Sequence, residues 1–198
     1  MAITRLTQST LQQAFPKYPN AWDGISAVGG MDSLGNMVLP NDSTGGVTWS
    51  NIPQTYQHLQ IRFTAKSRAA TNDFSLFFNS VSTGTNYTFQ AISAKPTTST
   101  SSASSTAHQD QPYIYMIRDE NTNIPSGQTF TGVINIHDYS NTNKFKTVSS
   151  LCGSDQNGNG LIINRTALYK STNAITTVDI FNGYYYAAGT SFSLYGIK

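Results

Sequence analysis

The stretch that decides the fold is His58-Leu-Gln-Ile-Arg-Phe-Thr-Ala65. Apolar and polar residues alternate along it, and a period of two predicts a β-strand with one face in a core and the other in water. The same pattern, less regular, predicts further strands at 47–50, 74–78, 87–92, 113–117, 130–137, 145–151, 161–168, 175–181 and 191–197. Clusters of Gly, Asn and Ser separate these runs, as is typical of strands joined by turns.

Many short strands without helical periodicity must cover their apolar faces with one another. The sequence therefore predicts an all-β fold, a two-sheet antiparallel sandwich of the jelly-roll kind, over residues 47–198. The last apolar run, 191–197, almost reaches Lys198, so we expect the carboxyl end to be a strand of the sheet.

Residues 1–46 have a different composition and are predicted to form an extended N-terminal arm, an assembly contact. Pro16 and Pro19 confine any helix to about residues 4–15, so the arm has at most one short helix. We expect the arm to bind a partner because it carries large apolar residues that a solvated tail does not favour, namely Phe15, Tyr18, Trp22 and Met31.

Composition and charge exclude several classes of protein. Only 11% of the 198 residues are charged, and 12 Lys and Arg stand against 10 Asp and Glu, so no basic cluster predicts nucleic acid or membrane binding. The sequence shows neither an apolar run of membrane-spanning length nor a secretory signal, and we expect synthesis in the cytoplasm. The single cysteine, Cys152, predicts a small buried side chain rather than a disulfide or metal ligand.

Residues 95–111 include a continuous run of Ser, Thr and Ala. Such a run has little to bury, so we predict an exposed loop, either a spacer or a contact loop. The triplet Tyr184, Tyr185, Tyr186 follows Asn-Gly and is a possible surface contact, since tyrosine suits interfaces. Alternate packing of these rings inside the sandwich is an equally good interpretation.

Catalytic chemistry finds little support in the sequence. No G-x-S-x-G motif is present, and His58, His108 and His137 lie in unrelated contexts. His137 and Asp138 are adjacent in extended chain and should point to opposite faces, so we expect no shared metal. A single Glu and nine Asp give no evident acid pair for a glycosidase. We predict a non-enzymatic protein without cofactor or metal.

The segment Asp155–Gly160 matches the first half of a calcium-binding loop, D-x-[DN]-x-[DN]-G. The twelfth position, which should supply a bidentate Glu, is Thr166. Because apolar runs lie on both sides, a Gly/Asn hairpin loop is the better interpretation, and calcium binding stays an open alternative.

Four strings resemble a β-domain found in structural proteins of tailed bacteriophages, notably cyanophages and marine phages. They are Trp49-Ser-Asn-Ile-Pro-Gln-Thr-Tyr-Gln-His-Leu-Gln-Ile-Arg62, Asp138-Tyr-Ser-Asn-Thr-Asn-Lys-Phe-Lys-Thr-Val148, Ser171-Thr-Asn-Ala-Ile-Thr-Thr-Val178 and Phe192-Ser-Leu-Tyr-Gly-Ile-Lys198. The resemblance spans about residues 47–198. It implies a location on the exterior of the virion, among tail appendages or capsid-associated proteins.

The resemblance and the arm together favour a capsid decoration or cement protein. We expect it to bind other virion proteins, capsid or tail subunits, and to form a homo-oligomer, with a trimer favoured. The alternative is a tail or tail-fibre component that recognises the host surface, including a surface glycan. A polysaccharide-cleaving enzyme is a third hypothesis, which would require an acid pair.

Overall fold

A computed structural model describes residues 30–43, 45–69, 74–96, 101–117, 125–154, 160–182 and 186–198. The described residues form twelve strands: β1 (Met31–Val38), β2 (Val47–Trp49), β3 (His58–Lys66), β4 (Phe74–Phe78), β5 (Tyr87–Pro96), β6 (Ser101–Gln111), β7 (Ile114–Ile117), β8 (Thr129–His137), β9 (Lys146–Ser154), β10 (Leu161–Tyr169), β11 (Val178–Asn182) and β12 (Ser191–Ile197).

The strands build two antiparallel sheets that pack as a sandwich, which confirms the predicted fold class. Eight strands form one sheet in the order β1-β12-β3-β8-β9-β10-β5-β6, and four form the other in the order β2-β11-β4-β7. The ten strands expected from the sequence all occur, with shifted ends. β12 lies between β1 and β3, so the carboxyl end is a strand inside the large sheet, as predicted.

The core between the sheets is rich in aromatic rings. Phe74 of the small sheet is fully buried, and its ring centroid lies 4.8 Å from that of Phe63 and 5.1 Å from that of Phe130. Phe78 meets Tyr169 and Tyr87 in a second cluster, at 5.3 Å and 6.1 Å. Edge-to-face and offset pairs at these distances stabilise the sandwich beyond the apolar area that they bury.

The Ser/Thr-rich segment is not a loop. The expectation of an exposed loop over 95–111 is wrong, because Ser101–Gln111 forms β6 and pairs with β5 in the register Ile92↔Ser105. A strand at a sheet edge has only one neighbour and needs no alternating apolar residues. Thr suits an extended backbone, so backbone pairing alone suffices here.

The predicted arm contains a strand of the sheet. Met31–Val38 forms β1 and pairs along β12, so the large sheet begins at Met31 and not at residue 47. A bulge between Ser33 and Gly35 breaks the alternation that would have revealed this strand in the sequence. Gly35 also admits the Trp49 ring, since a Cβ there would lie 3.0 Å from the indole nitrogen. Residues 1–29 lie outside the described part of the chain.

Candidate binding surface

The outer face of the eight-stranded sheet is formed by the side chains that point away from the small sheet. On β3 the odd-numbered residues from Leu59 to Ala65 are buried, whereas Gln60, Arg62 and Thr64 point away from the core. Side chains in register on neighbouring strands lie about 5 Å apart, so alternate residues of all eight strands share this face. These outward-pointing residues determine what the face can bind.

Strand register brings aliphatic side chains together on this face. Val133 pairs with Leu151, which pairs with Asn164, which in turn pairs with Ile92. In the adjacent row Gly153 pairs with Ile162. Leu151, Ile162 and Ile92 expose 56%, 61% and 66% of their surface. We name Val133, Leu151, Ile162 and Ile92 the aliphatic strip.

A groove of about 560 Å³ runs along this strip. Leu151, Ile162 and Val133 line it on one side, and Arg62 and Ser193 on the other. Its floor is low at Gly153, which supplies no side chain there. A groove with apolar walls and polar side chains at its rim suits an extended segment with large side chains.

The Arg62 guanidinium lies within a small polar network at the rim of the groove. Its Nε donates to Gln60 Oε1 at 2.8 Å, and Gln60 Nε2 donates to Asn135 Oδ1 at 2.8 Å. The guanidinium also stands 5.3 Å from the centre of the Tyr195 ring. Met31 reaches the same place, with its sulfur 3.8 Å from an Arg62 nitrogen. Among the side chains that the structure describes in the central rows of the face, Arg62 carries the one full charge, and its guanidinium lies beside an aromatic ring and amide groups.

Two histidines meet at one end of the sheet, so the expectation that the histidines lie in unrelated contexts is wrong for this pair. The register Leu59↔Ile136 continues to His58 and His137, whose ring centroids are 5.4 Å apart. Asp138 has a φ of 50°, and this turn aims its backbone N–H at His58 Nδ1, at 2.9 Å. The chain therefore leaves the extended conformation at Asp138, and the argument from opposite faces no longer applies.

The electrostatics of this end are those of a surface ion pair. Lys144 Nζ lies 2.5 Å from Asp138 Oδ2 and lowers the pKa of that carboxyl below its ordinary value of 3.8. His137 Nε2 and Ser149 Oγ are 3.2 Å apart. His108 lies elsewhere, on β6, with its ring 4.8 Å from that of Phe89. Within the described ranges, no group of three or more His, Cys, Asp or Glu side chains could hold a metal ion.

The residues predicted to bind partners are only partly within the described chain. Met31 is 37% exposed and lies at the rim of the sheet face. Tyr186 is fully buried, with its ring 5.2 Å from that of Phe192, so as a surface contact it is corrected to a core residue. The others lie outside the described residues: Phe15, Tyr18, Trp22, Tyr184 and Tyr185.

The hairpin predicted around the calcium-like motif is confirmed by its flanks. β9 and β10 pair in the register Ser154↔Leu161, and residues 155–159 lie outside the described chain. Thr166 pairs with Ser149, five residues further along β10, and so lies about 17 Å from the hairpin end at ~3.3 Å per residue. That distance removes it from any ligand set in the loop.

Cys152 is a core residue, as its sequence context predicted. It is 2% exposed, and burial raises the pKa of its thiol to about 12. The thiol is therefore an unreactive apolar group beneath the floor of the groove.

Sequence reasoning missed the aliphatic strip. Its signal was present as two adjacent apolar residues within otherwise alternating strands: Leu151 before Cys152, Ile162 before Ile163 and Ile92 after Ala91. One residue of each pair must point away from the core, so each break in the alternation marks an exposed apolar side chain.

Comparison with known proteins adds no functional information. No protein-family model matches the chain, and no curated protein matches it. A crystal structure of a protein of unknown function from Shewanella oneidensis MR-1 aligns over 100% of this chain and 97% of its own, with 8% identity and a TM-score of 0.19. No helix among the described residues is long and apolar enough to cross a membrane.

Proposed function

We propose that this chain is a structural protein of a bacteriophage virion that decorates the capsid exterior and binds its neighbours through the N-terminal segment. The observation that supports this most is the outer face of the large sheet, where Leu151, Ile162 and Ile92 expose more than half of their surface. Exposed apolar side chains that share one face and have polar neighbours are typical of a protein contact.

The composition of the face supports a structural contact in a particle. Ser, Thr, Asn and Gln surround the strip, and of the described side chains in its central rows Arg62 alone carries a full charge. Contacts made by apolar and hydroxyl groups depend little on ionic strength, which suits an assembly exposed to changing salt. The resemblance to phage virion domains points to the same kind of role.

The N-terminal segment supplies the apolar side chains of the contact. Phe15, Tyr18 and Trp22 precede the sheet, whose first strand begins at Met31. Full burial of one such ring against a partner contributes roughly 1.5–3 kcal/mol, so three rings contribute roughly 4.5–9 kcal/mol before the costs of association and of ordering the segment.

Deleting residues 1–24 tests the proposal. The shortened chain keeps every described strand, so its thermal transition should match that of the full chain, whereas its binding to capsids should be lost. Cosedimentation with particles that lack the protein measures this, with the full-length substitutions F15S/Y18S/W22S as a matched control. Capsid binding that survives both changes would contradict the proposal.

A tail or tail-fibre component that recognises a host glycan is the second candidate. It is favoured by the network of Arg62, Gln60 and Asn135 beside the Tyr195 ring, because planar polar groups next to an aromatic ring are chemistry that can bind sugars. Hundreds of copies per particle, counted by quantitative mass spectrometry, favour decoration, and a few to tens favour a tail part. Binding of host glycan that R62A and Y195A abolish would favour the second candidate.

A further inference from the structure

The sheet edge formed by β6 differs from the other three sheet edges of the described chain. An edge presents unpaired backbone N–H and C=O groups, and folded proteins protect it with a short strand, a bulge, a proline or a charge. β2 has three residues and β7 has four, and the register of β7 shifts between Phe74 and Ser75 of β4. β1 has a bulge between Ser33 and Gly35. These three edges are therefore poor templates for a further strand.

β6 has none of these protective features along most of its length. It pairs with β5 in unbroken register from Ser101↔Pro96 to His108↔Phe89, which is eight residues or ~26 Å. The segment 101–108 contains no Pro, Lys, Arg, Asp or Glu. Asp110 lies beyond the register shift, and Lys170 Nζ donates to its carboxylate. Among the described strands β6 has β5 as its one neighbour, so its second row of backbone groups can pair with an added strand.

The composition of β6 favours a second copy of the same strand as that partner. A strand edge is complementary to itself in the antiparallel sense, because a two-fold rotation sets the outward N–H groups of one copy against the outward C=O groups of the other. Like charges that lie directly opposite each other destabilise such a pair. The segment 101–108 carries no such charges, and its Ser, Ala and Thr residues fit opposite one another.

Two other occupants fit this edge less well. A peptide of another protein that adds to a sheet edge is selected by pockets for its alternate side chains, and the small residues of segment 101–107 build no pocket walls. The N-terminal segment of the same chain enters the sheet at Gly30, beside β1. β6 is seven strands away from β1, or ~34 Å, whereas a flexible chain of 29 residues has an r.m.s. span of ~30 Å.

We propose that β6 pairs antiparallel with β6 of a second copy of this chain, so that the two eight-stranded sheets continue into one another. This contact goes beyond the proposed function, because it uses neither the N-terminal segment nor the aliphatic strip. A two-fold contact closes with two copies, so it predicts a dimer and not the trimer expected from the sequence. The axis is perpendicular to the sheet, and the aliphatic strips of both copies therefore lie on the same side of the joined sheet. A dimer then presents two contacts to one particle and binds it with higher avidity.

Two full-length charge variants test the proposal by complementation. Positions 103, 105 and 107 pair with three exposed residues of β5, so A103K/S105K/A107K and A103E/S105E/A107E should both fold. The wild type should have a solution mass of twice 21.5 kDa, and each variant alone should have 21.5 kDa, because like charges meet at the edge. An equimolar mixture should recover twice 21.5 kDa, since opposite charges then face each other. Sedimentation velocity measures all four samples.

The matched control is I162K/N164K/T166K, which places the same charges at exposed positions of β10 and should leave the dimer intact. Deletion of residues 1–24 should also leave it intact. The proposal is overturned by a wild type or a mixture of the two edge variants that stays at 21.5 kDa, and by a dimer that survives both edge variants. Loss of the dimer in the β10 variant or in the deletion would assign the contact to the outer face or to the N-terminal segment, and would also overturn it. In each case capsid binding still tests the proposed function separately.

Hydrogen exchange of the wild type provides a measurement that does not depend on any variant. The outward amides of β6 exchange in the monomer and are protected in the paired strand. Exchange over residues 101–108 should therefore become slower as the protein concentration rises and the dimer forms, whereas exchange over β1 should stay the same. Exchange over residues 101–108 that does not change while the mass doubles would overturn the proposal.

Discussion

The two faces of β10 differ in a way that polarity alone does not predict. The inner face holds Arg165, which is 1% exposed and has its guanidinium 4.8 Å from the centre of the Phe89 ring. The outer face exposes Ile162, one of the most apolar side chains of the sheet. On this strand a charged residue is buried and an aliphatic residue is exposed.

Folding constrains which residues occupy the inner face, but it places little constraint on those of the outer face. Inner positions are fixed by packing against the small sheet, where the Phe63, Phe74 and Phe130 rings meet within 6 Å of one another. Outer positions touch no second layer of the described chain, so folding does not explain why Leu151 and Ile162 are aliphatic. Exposed apolar residues on one face are typical of a contact surface, which agrees with the function proposed above.

Removing a ring from the inner face should have the largest effect. Phe74→Ala leaves a cavity among Phe63, Phe130 and Phe192, and we expect a loss of about 3–5 kcal/mol in the free energy of unfolding. The matched outer change, Leu151→Ala, should alter it by less than about 0.5 kcal/mol. Urea unfolding followed by fluorescence compares the two. Similar losses in both variants would show that the outer face is also part of the folded core.

Two glycines on adjacent strands give a finer comparison. A Cβ at Gly132 would lie 2.8 Å from Cys152 Sγ, from the Leu151 carbonyl oxygen and from Phe63 Cζ, so Gly132→Ala should cost about 1–3 kcal/mol. A Cβ at Gly153 would meet nothing closer than the Leu161 carbonyl oxygen at 3.4 Å. Gly153→Ala should leave stability unchanged or raise it by up to about 1 kcal/mol, because the unfolded chain loses freedom.

Thermal unfolding of the two alanine variants beside the wild type measures this pair. If Gly153→Ala lowers the unfolding temperature and Gly132→Ala does not, then Gly153 faces the core and Gly132 faces outward, which is the reverse of the assignment made here. The pair also bears on the groove, since the new methyl group of Gly153→Ala projects into it and leaves the core untouched.

The sequence predicts the inner face well and the edges of the sheet poorly. β3 is evident because Leu59, Ile61 and Phe63 alternate with polar residues, and the same pattern locates the other interior strands. The sequences of β1 and β6 do not show this alternation of apolar and polar residues. An edge strand can be specified by backbone pairing with one neighbour, and Ser101–Gln111 contains no large apolar side chain, only Ala103 and Ala107.

The candidate surface could not be predicted from the sequence because it depends on register. Leu151, Ile162 and Ile92 belong to three strands and are up to 70 positions apart, and only strand pairing places them in neighbouring rows of one face. The same holds for His58 and His137. A pattern of residues states which side a strand buries, but it does not state which strand lies next to it.

The smallest expected effect lies at the rim between the two faces, at Asp138. Lys144 lowers the pKa of this carboxyl, and His58 Nδ1 faces it at 3.8 Å. A lowered pKa in the folded state means that the carboxylate contributes stability above the ordinary value of 3.8, and that the contribution is lost as pH falls through the folded-state value. Asp138→Asn should therefore cost about 0.2–1 kcal/mol at pH 7, in line with other solvent-screened pairs.

The cost of Asp138→Asn should be constant from neutral pH down to about pH 5, and should shrink once pH falls below 3.8. Asn also tolerates the φ of 50° at this position, so the substitution changes the charge without straining the turn. Denaturant midpoints across this pH range measure the difference between the two proteins. In a Lys144→Gln background the difference should be smaller, because the cation that lowers the pKa is gone. If the loss in free energy of unfolding caused by Asp138→Asn depends neither on pH nor on Lys144, Asp138 has a purely conformational role in the turn. The charge of Asp138 would then contribute nothing to the stability of the rim.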